Sequence, residues 1–412
     1  MRFPGSGGVV MGTIHMNRAD FGGNVQRQRV EQALHPRAMR PLLQVALGAP
    51  NVPLSCRVLD VKYEPGEYCT VLYQLGARSV IGTMSWGGSD EAMPRTDREI
   101  PALGMRVCSV EHDPALPGLE IVRDPRALAV TLSTALSEHL GAASRVLRCR
   151  ATVLRHRPGR RCTFRVDAWL RDVRSGETRE QTLFGKLYHT SKKAAPAYRE
   201  MLLLADSSAV RAGRLLLARP VAYLPDSLMV LQEPVSGSPL DLLIGRMTGS
   251  ATAGDPRGWD GIARAAAALA ELHAGGLVAG RERPIRSEVT RFGERAARIA
   301  GVDAGLGARM NELVLGLQPG LARLPEWGAE LTLVHGDCKP SQFLIGVDGV
   351  AILDFDHSGM SDPANDVGTF LATLRQLSIR QSLRARGDPA AQARSRWLRE
   401  LENRFLEAYV VA

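Results

Sequence analysis

The sequence predicts an α+β fold in which a strand-rich half precedes a helix-rich half. Three observations carry this expectation. Short apolar runs broken by Pro-Gly and Ser-Gly turns fill residues 61–84 and 152–188, the pattern of antiparallel strands joined by tight turns. Helical patterns follow in Tyr198-Arg199-Glu200-Met201-Leu202-Leu203-Leu204 and in the Ala-rich stretch from Ile262 to His273, which stops at Gly275-Gly276 as helix ends do. Late in the chain, Asp348-Gly349 separates Phe343-Leu344-Ile345 from Val350-Ala351-Ile352-Leu353, a strong hairpin signal. With 412 residues, the chain exceeds what one hydrophobic core organises, so two or three domains are expected.

The elements fall in order. Residues 1–28 read as a disordered leader: Met1 to Gly8 lack the apolar core of a signal peptide, and Met11 and Met16 are alternative starts. Residues 29–140 form an accessory α+β region with strands around Val61, Val71, Leu72 and Tyr73, a Pro- and Gly-rich connection from Asp113 to Gly118, and a helix from Pro125 to Leu140. Residues 141–236 form a small antiparallel sheet. Its strands are Thr152 to His156, Cys162 to Trp169 and Thr182 to Tyr188, turned at Pro158-Gly159 and Ser175-Gly176; the buried strand Ser227 to Gln232 follows and stops at Pro234 and Gly237. Residues 237–412 are mainly helical.

An internal echo links the first two regions. Pro-Gly-x-x-Cys-Thr occurs at residues 65–70 and again at 158–163, and Ile81-Gly82-Thr83-Met84 echoes Phe184-Gly185-Lys186-Leu187. Thr83 stands where Lys186 stands. The accessory region then reads as a degenerate duplicate of the small sheet, a cap or packing platform without an active site of its own.

Charge is distributed unevenly. Residues 141–200 hold 15 Lys/Arg against 5 Asp/Glu, while residues 241–412 hold 20 against 21. A basic sheet region suits a polyanionic ligand. Phosphate is favoured over nucleic acid, because no interleaved aromatics or recognition module accompany the arginines. No run of about 18 apolar residues is present, so no membrane span is expected. The six cysteines form no C-x-x-C pair and read as reduced thiols of a cytoplasmic protein.

The chemistry concentrates in Val334-His335-Gly336-Asp337-Cys338-Lys339-Pro340-Ser341-Gln342 and in Ile352-Leu353-Asp354-Phe355-Asp356. Phosphoryl transfer needs a carboxylate that orients the attacking hydroxyl and hard oxygen ligands that hold magnesium against the phosphates. Asp337 suits the first task; Gln342 and Asp354, helped by Asp356, suit the second. The hairpin between them brings both ends of the segment to one mouth. Lys186, embedded in an apolar strand, suits a phosphate better than a packed sheet.

On these residues the chain resembles the aminoglycoside phosphotransferase / choline kinase superfamily. That family carries His-Gly-Asp, four residues, Asn, then Asp-x-Asp or Asp-x-Glu, and then an Asp-rich turn, here Asp362-Pro363-Ala364-Asn365-Asp366. The departure is Gln342, which keeps the amide oxygen on a stem one methylene longer. The resemblance implies a bilobal protein-kinase-like fold with an antiparallel-sheet small lobe, a mainly helical large lobe, and the accessory α+β region before them. It implies ATP and Mg2+ as cofactors and a small-molecule hydroxyl as acceptor, of aminoglycoside, sugar or amino-alcohol type. It assigns Lys186 to the nucleotide phosphates, with Glu200 as its partner, and Gln232, Glu233 and Val235 to a hinge that meets adenine. With no Gly-rich loop, phosphate contacts fall to amides around Gly159 and to Arg160 or Arg161. Lys339 is implied to neutralise charge on the transferred group. His335, Asp362 and Asp366 are expected to brace the loop, and His273 to pack at a helix end. Two other readings stand beside this one: a non-catalytic ATP-binding scaffold, suggested by Gln342, and a protein Ser/Thr kinase. The second is disfavoured by Asp-Phe-Asp in place of Asp-Phe-Gly and by the lack of an Ala-Pro-Glu segment.

Overall fold

The computed structural model describes residues 24–48, 54–64, 67–86, 98–140, 144–247, 256–300, 303–324, 331–384 and 389–412. Met11, Met16 and the Pro65-Gly66 turn lie outside the described residues. The chain divides into two compact units, one built from Met1–Val110 with Arg286–Leu324 and the other from Glu111–Ile285 with Pro325–Ala412.

In the first unit, helices α1 (Asn24–Ala33) and α2 (Pro36–Ala46) cover a five-stranded antiparallel sheet of β1 (Cys56–Glu64), β2 (Tyr68–Leu75), β3 (Arg78–Ser85), β4 (Glu99–Ile100) and β5 (Met105–Ser109), in the order β1-β2-β3-β5-β4. Helix α1 begins inside the segment expected to be a leader. The reason is burial: Val30 and Ala33 pack into the core with Met39, Leu43 and Tyr73, and the Tyr73 hydroxyl donates to the Ala33 carbonyl at 2.7 Å.

The second unit opens with α3 (Leu119–Arg123) and α4 (Pro125–Leu140), then the long meander β6 (Ser144–Arg157), β7 (Arg161–Asp172) and β8 (Thr178–Tyr188). Helix α4 has the bounds the sequence predicts, but it belongs with this meander: Leu128, Leu132 and Leu136 share one core with Val146, Phe164, Val166 and Leu183. Helices α5 (Ser191–Ala205) and α6 (Ser208–Arg211) and strands β9 (Leu216–Leu217), β10 (Pro220–Leu224) and β11 (Met229–Gln232) follow; β9 pairs with the later strand Val350–Ile352, whereas β10 and β11 complete the small lobe. Its sheet runs β10-β11-β8-β7-β6. Strand β11 ends two residues before Pro234, which has no N–H to continue a ladder.

The helical part follows: β12 (Ser238–Pro239), α7 (Leu240–Met247), α8 (Pro256–Ala274) and β13 (Arg281–Arg283). Helices α9 (Ile285–Ala300) and α10 (Ala304–Ala322) come next, with Arg286–Leu324 counted in the first unit. The chain returns through β14 (Thr332–Val334), the hairpin β15 (Phe343–Ile345) and β16 (Val350–Ile352), β17 (Gly359–Ser361), α11 (Ala364–Arg384) and α12 (Pro389–Val411). Phe343 pairs with Ile352 in that hairpin, as the Asp-Gly turn predicts. In the core of this part Phe370 stacks on Phe405 and meets Phe343 edge to face.

The echo in sequence is also an echo in register. Thr70 pairs with Thr83 and Val71 with Gly82; Thr163 pairs with Lys186 and Phe164 with Gly185. In the first sheet the two threonine hydroxyls bond each other in a buried position at 3.2 Å, where the second sheet has a threonine and a lysine. Gly185 is required by packing, because a Cβ there would run into the ring of the fully buried Phe164. Gly185→Ala is therefore expected to destabilise the protein by about 1–3 kcal/mol, the usual cost of overfilling a close-packed core. A urea-unfolding midpoint equal to that of the parent would contradict this.

Candidate active site

Strand alternation decides which side chains of the small lobe reach the site. On β7, Cys162, Phe164, Val166, Ala168 and Leu170 point into the core, so Arg161 and Thr163 lie on the opposite face. On β8, Leu183 and Leu187 are buried in that same core, and Lys186 points away from it. Arg161 is paired with Tyr188, and Lys186 with Thr163 on one side and Val230 on the other. One sheet face thus presents a guanidinium, an ammonium and a phenol together.

These groups meet the Asp-Phe-Asp segment. Lys186 Nζ donates to Asp354 Oδ1 at 2.6 Å and to Asp356 Oδ1 at 3.0 Å. Arg161 Nη1 donates to Asp354 Oδ1 at 3.2 Å and Asp356 Oδ2 at 2.7 Å, and Nη2 to Asp354 Oδ2 at 3.3 Å. The Tyr188 hydroxyl donates to Asp356 Oδ1 at 2.7 Å. The four charged side chains are only 13–17% exposed, so the two positive and two negative charges balance one another largely out of water. Burial alone would raise the Asp354 carboxyl, but Lys186 and Arg161 outweigh it and hold the group below the usual carboxylate range. Burial would lower Lys186, and the same two carboxylates raise it above its ordinary value. Asp354 is also held at φ +68°, a left-handed conformation that costs a non-glycine residue of order 1–3 kcal/mol and that clusters at functional sites.

The loop that carries Asp337 is built on a buried carboxylate. Asp366, in the first turn of α11, accepts from the main-chain N–H of His335 at 2.5 Å and of Gly336 at 2.8 Å. Its other partner is His273 Nε2 at 3.2 Å, and His273 Nδ1 lies 2.7 Å from the Tyr409 hydroxyl. His273 is thus a brace at a helix end, as expected. His335 Nε2 bonds the Leu353 carbonyl at 2.7 Å, and the Asp337 N–H donates to His335 Nδ1 at 3.2 Å. A carbonyl only accepts, so the proton sits on Nε2 and the ring ties the two loops together. Nδ1 accepts and so carries no proton, which makes the ring neutral, and burial lowers the His335 pKa in the same sense. Gly336 is left-handed at φ +77°, and a Cβ there would collide with the His357 carbonyl.

Asp337 is about one-third exposed, and its Oδ2 is ion-paired with Lys339. The buried Gln342 spans the gap, its Nε2 lying 3.4 Å from both Asp337 Oδ2 and Asp354 Oδ2. The structure therefore brings together Asp337, Lys339, Gln342, Asp354, Asp356 and Lys186. The donor set suits magnesium, which binds through one or two carboxylates and other oxygens and keeps positions for phosphate. Rotating the Gln342 amide by half a turn presents Oε1 to the same space. A cavity lined by Lys186, Met201, Leu217, Gln232, Leu353 and Asp354 adjoins these groups.

Three expectations need correction. Glu200 does not pair with Lys186: its Oε2 lies 2.5 Å from Ser358 Oγ, and burial raises its pKa. Lys186 already has two carboxylates, which leaves no reason for a third. The Gly159 N–H is committed to Asp113 Oδ2 at 2.8 Å, so it is not free for a phosphate. The Glu233 N–H is committed to the Arg219 carbonyl at 2.8 Å, and of Gln232, Glu233 and Val235 it is Gln232 that lines the cavity. No sequence motif marks Tyr188, and none separates Arg161 from Arg160, but the alternation of β7 and β8 places Arg161 and Tyr188 on the Lys186 face.

Residues 165–401 match the phosphotransferase enzyme family, more than half of the chain. The chain belongs to this family. Among solved structures, this phosphotransferase is similar to a glucosamine kinase (17% identity, TM-score 0.46, over 87% of this chain and 80% of that one). It is also similar to the ternary complex of streptomycin, ATP and APH(2")-IIa (12% identity, TM-score 0.39, over 68% and 83%). A third likeness is to the amicoumacin kinase hAmiN in complex with AMP-PNP, Ca2+ and Ami (14% identity, TM-score 0.37, over 63% and 71%). No curated protein matches the chain significantly. Among the described residues, no helix is long and apolar enough to cross a membrane.

The depressed carboxyls set a pH dependence. Asp354 and Asp366 both have folded-state pKa values below their ordinary ones. They stabilise the fold above about pH 3.9, and that contribution is lost as pH falls through the folded values. In Asp354→Asn, the decline of unfolding free energy between about pH 4 and pH 2 should be shallower than in the parent. Parallel curves from urea titrations across that window would contradict the ion cluster.

Proposed function

We propose that this phosphotransferase moves the γ-phosphoryl group of ATP to a hydroxyl of a small molecule of aminoglycoside, sugar or amino-alcohol type. The observation that carries the reading is the convergence of Asp337 and Lys339 from one loop with Gln342, Asp354 and Lys186. Asp337, the most open carboxylate of the group, orients the acceptor hydroxyl and accepts its proton as the oxygen–phosphorus bond forms, the bond to the β-phosphate oxygen breaks and ADP leaves. Lys339, paired to it, offsets negative charge on the phosphoryl group in transit. Lys186 fixes the phosphates, and Gln232 borders the space for the base. Gln342, Asp354 and Asp356 would hold magnesium, which would supply charge neutralisation on the phosphates. His335, Asp366 and His273 keep the loop in place and exchange no protons with substrate.

One observation favours a second reading. Asp354 and Asp356 are already neutralised by Lys186 and Arg161, as a kinase-like protein that only binds nucleotide would tolerate. ATP consumption measured against a mixed panel of hydroxyl compounds separates the two, since a scaffold gives none above background.

Asp337→Asn is expected to lower turnover by at least about a hundredfold, the scale for a positioned acid–base group, while Mg-ATP still binds. Turnover close to that of the parent would remove Asp337 from this role. Asp354→Ala should abolish metal-dependent nucleotide binding in calorimetric titration, whereas Gln342→Asn, with the same amide oxygen, should remain active. Calorimetry should also return one nucleotide per chain, because Thr83 stands where a second phosphate lysine would be; a stoichiometry of two would contradict this.

A further inference from the structure

We propose that Arg161 is the phosphate-binding group contributed by the β6–β7 turn, so that a side chain does the work that main-chain amides do in a Gly-rich loop. This rests on the phosphotransferase reading and names a residue of the same site; Arg161 lies outside the residues matched to the family.

The main chain of the turn is already spoken for. The Gly159 N–H donates to Asp113 Oδ2 at 2.8 Å, and the Arg160 N–H donates to the Arg157 carbonyl at 3.0 Å. Asp113 is itself buried. Its Oδ2 also meets His156 Nε2 at 2.9 Å, and its Oδ1 accepts from the Ala115 N–H at 3.2 Å. Freeing the Gly159 amide for a phosphate would leave a buried carboxylate short of a donor, which is costly. The turn is thus fastened from behind and has little main chain to offer.

The adjacent side chain is placed differently. Arg161 is the first residue of β7, on the sheet face of Lys186, and its guanidinium lies on the same two carboxylates as the ammonium. Arg160, one position earlier, is exposed. The two cations balance Asp354 and Asp356, so an incoming triphosphate, an anion, has affinity for the cations and not for the carboxylates. A guanidinium matches phosphoryl oxygens in a two-pronged geometry that an ammonium lacks. The echo in the first unit supports pairing of the two roles. There Tyr68 occupies the place of Arg161 and Thr83 that of Lys186. Both cations are missing together, as expected of two groups that serve one ligand.

The test is calorimetric titration of ATP, ADP and adenosine, at constant magnesium, into the full-length parent and into R161Q, R161K, R160Q and K186M, with thermal midpoints recorded for each. In R161Q, ATP and ADP should bind at least about tenfold more weakly, the worth of one charged hydrogen-bond set, with adenosine within about twofold of the parent. R161K should fall between, and R160Q should match the parent. If R161Q fails to fold, R161K carries the same comparison. ATP binding unchanged in R161Q but lost in K186M would overturn the role of Arg161 and leave the phosphotransferase reading intact. Equal losses of ATP and adenosine in R161Q would also overturn it, showing a support role alone. A parent protein that binds no ATP would sink the phosphotransferase reading itself.

Discussion

Everything in the site depends on holding two carboxylates close together in a place mostly shielded from water. Asp354 and Asp356 are two residues apart and 13–16% exposed, so their repulsion must be offset locally. The fold offsets it with Lys186, Arg161 and the Tyr188 hydroxyl, all from the β7–β8 hairpin. That hairpin can deliver them because its other face is a continuous apolar core under α4. The strained backbone of Asp354 is sustained by the same contacts. Under the proposed function, the metal would take over the carboxylates and the phosphates the two cations.

A second constraint fixes the loop that carries Asp337. His335 and Gly336 have main-chain donors in a dry place, and Asp366 satisfies both. Asp366 is in turn held by His273, and His273 by Tyr409 in the last helix. The loop position therefore follows from packing of α8, α11 and α12, whose core is anchored by Phe370 and Phe405. Asp337 is left as the one carboxylate of the loop that faces solvent, with Lys339 beside it.

Much of this was legible in the sequence, for identifiable reasons. The Asp348-Gly349 turn between two apolar runs is a local signal, and the hairpin formed where it said. Lys186 stood out because a lysine in an apolar strand demands an explanation. Helix α4 could be bounded by its Pro and its apolar repeat, but its attachment to the meander could not, because that is set by long-range packing of Leu128, Leu132 and Leu136. Glu200 misled for a related reason. Helical spacing showed that it belongs to α5 but not which loop it meets, and Ser358 lies 158 positions away. The sequence cannot show that the Gly159 amide is taken, because its partner Asp113 is 46 positions away. The first five residues of helix α1 fall within the leader the sequence suggests, because Asn24 to Gln28 offer a single apolar side chain, Val25, and no apolar repeat.

The central claim is that Lys186 and Arg161 neutralise Asp354 and Asp356 in the free protein and turn to the phosphates when nucleotide binds. A crystal structure of the protein with magnesium and a non-hydrolysable ATP analogue tests it most directly. The account predicts both cations within hydrogen-bonding distance of phosphoryl oxygens, with the metal on Asp354. An analogue bound with Lys186 and Arg161 still on the two carboxylates, or bound elsewhere on the chain, would contradict it.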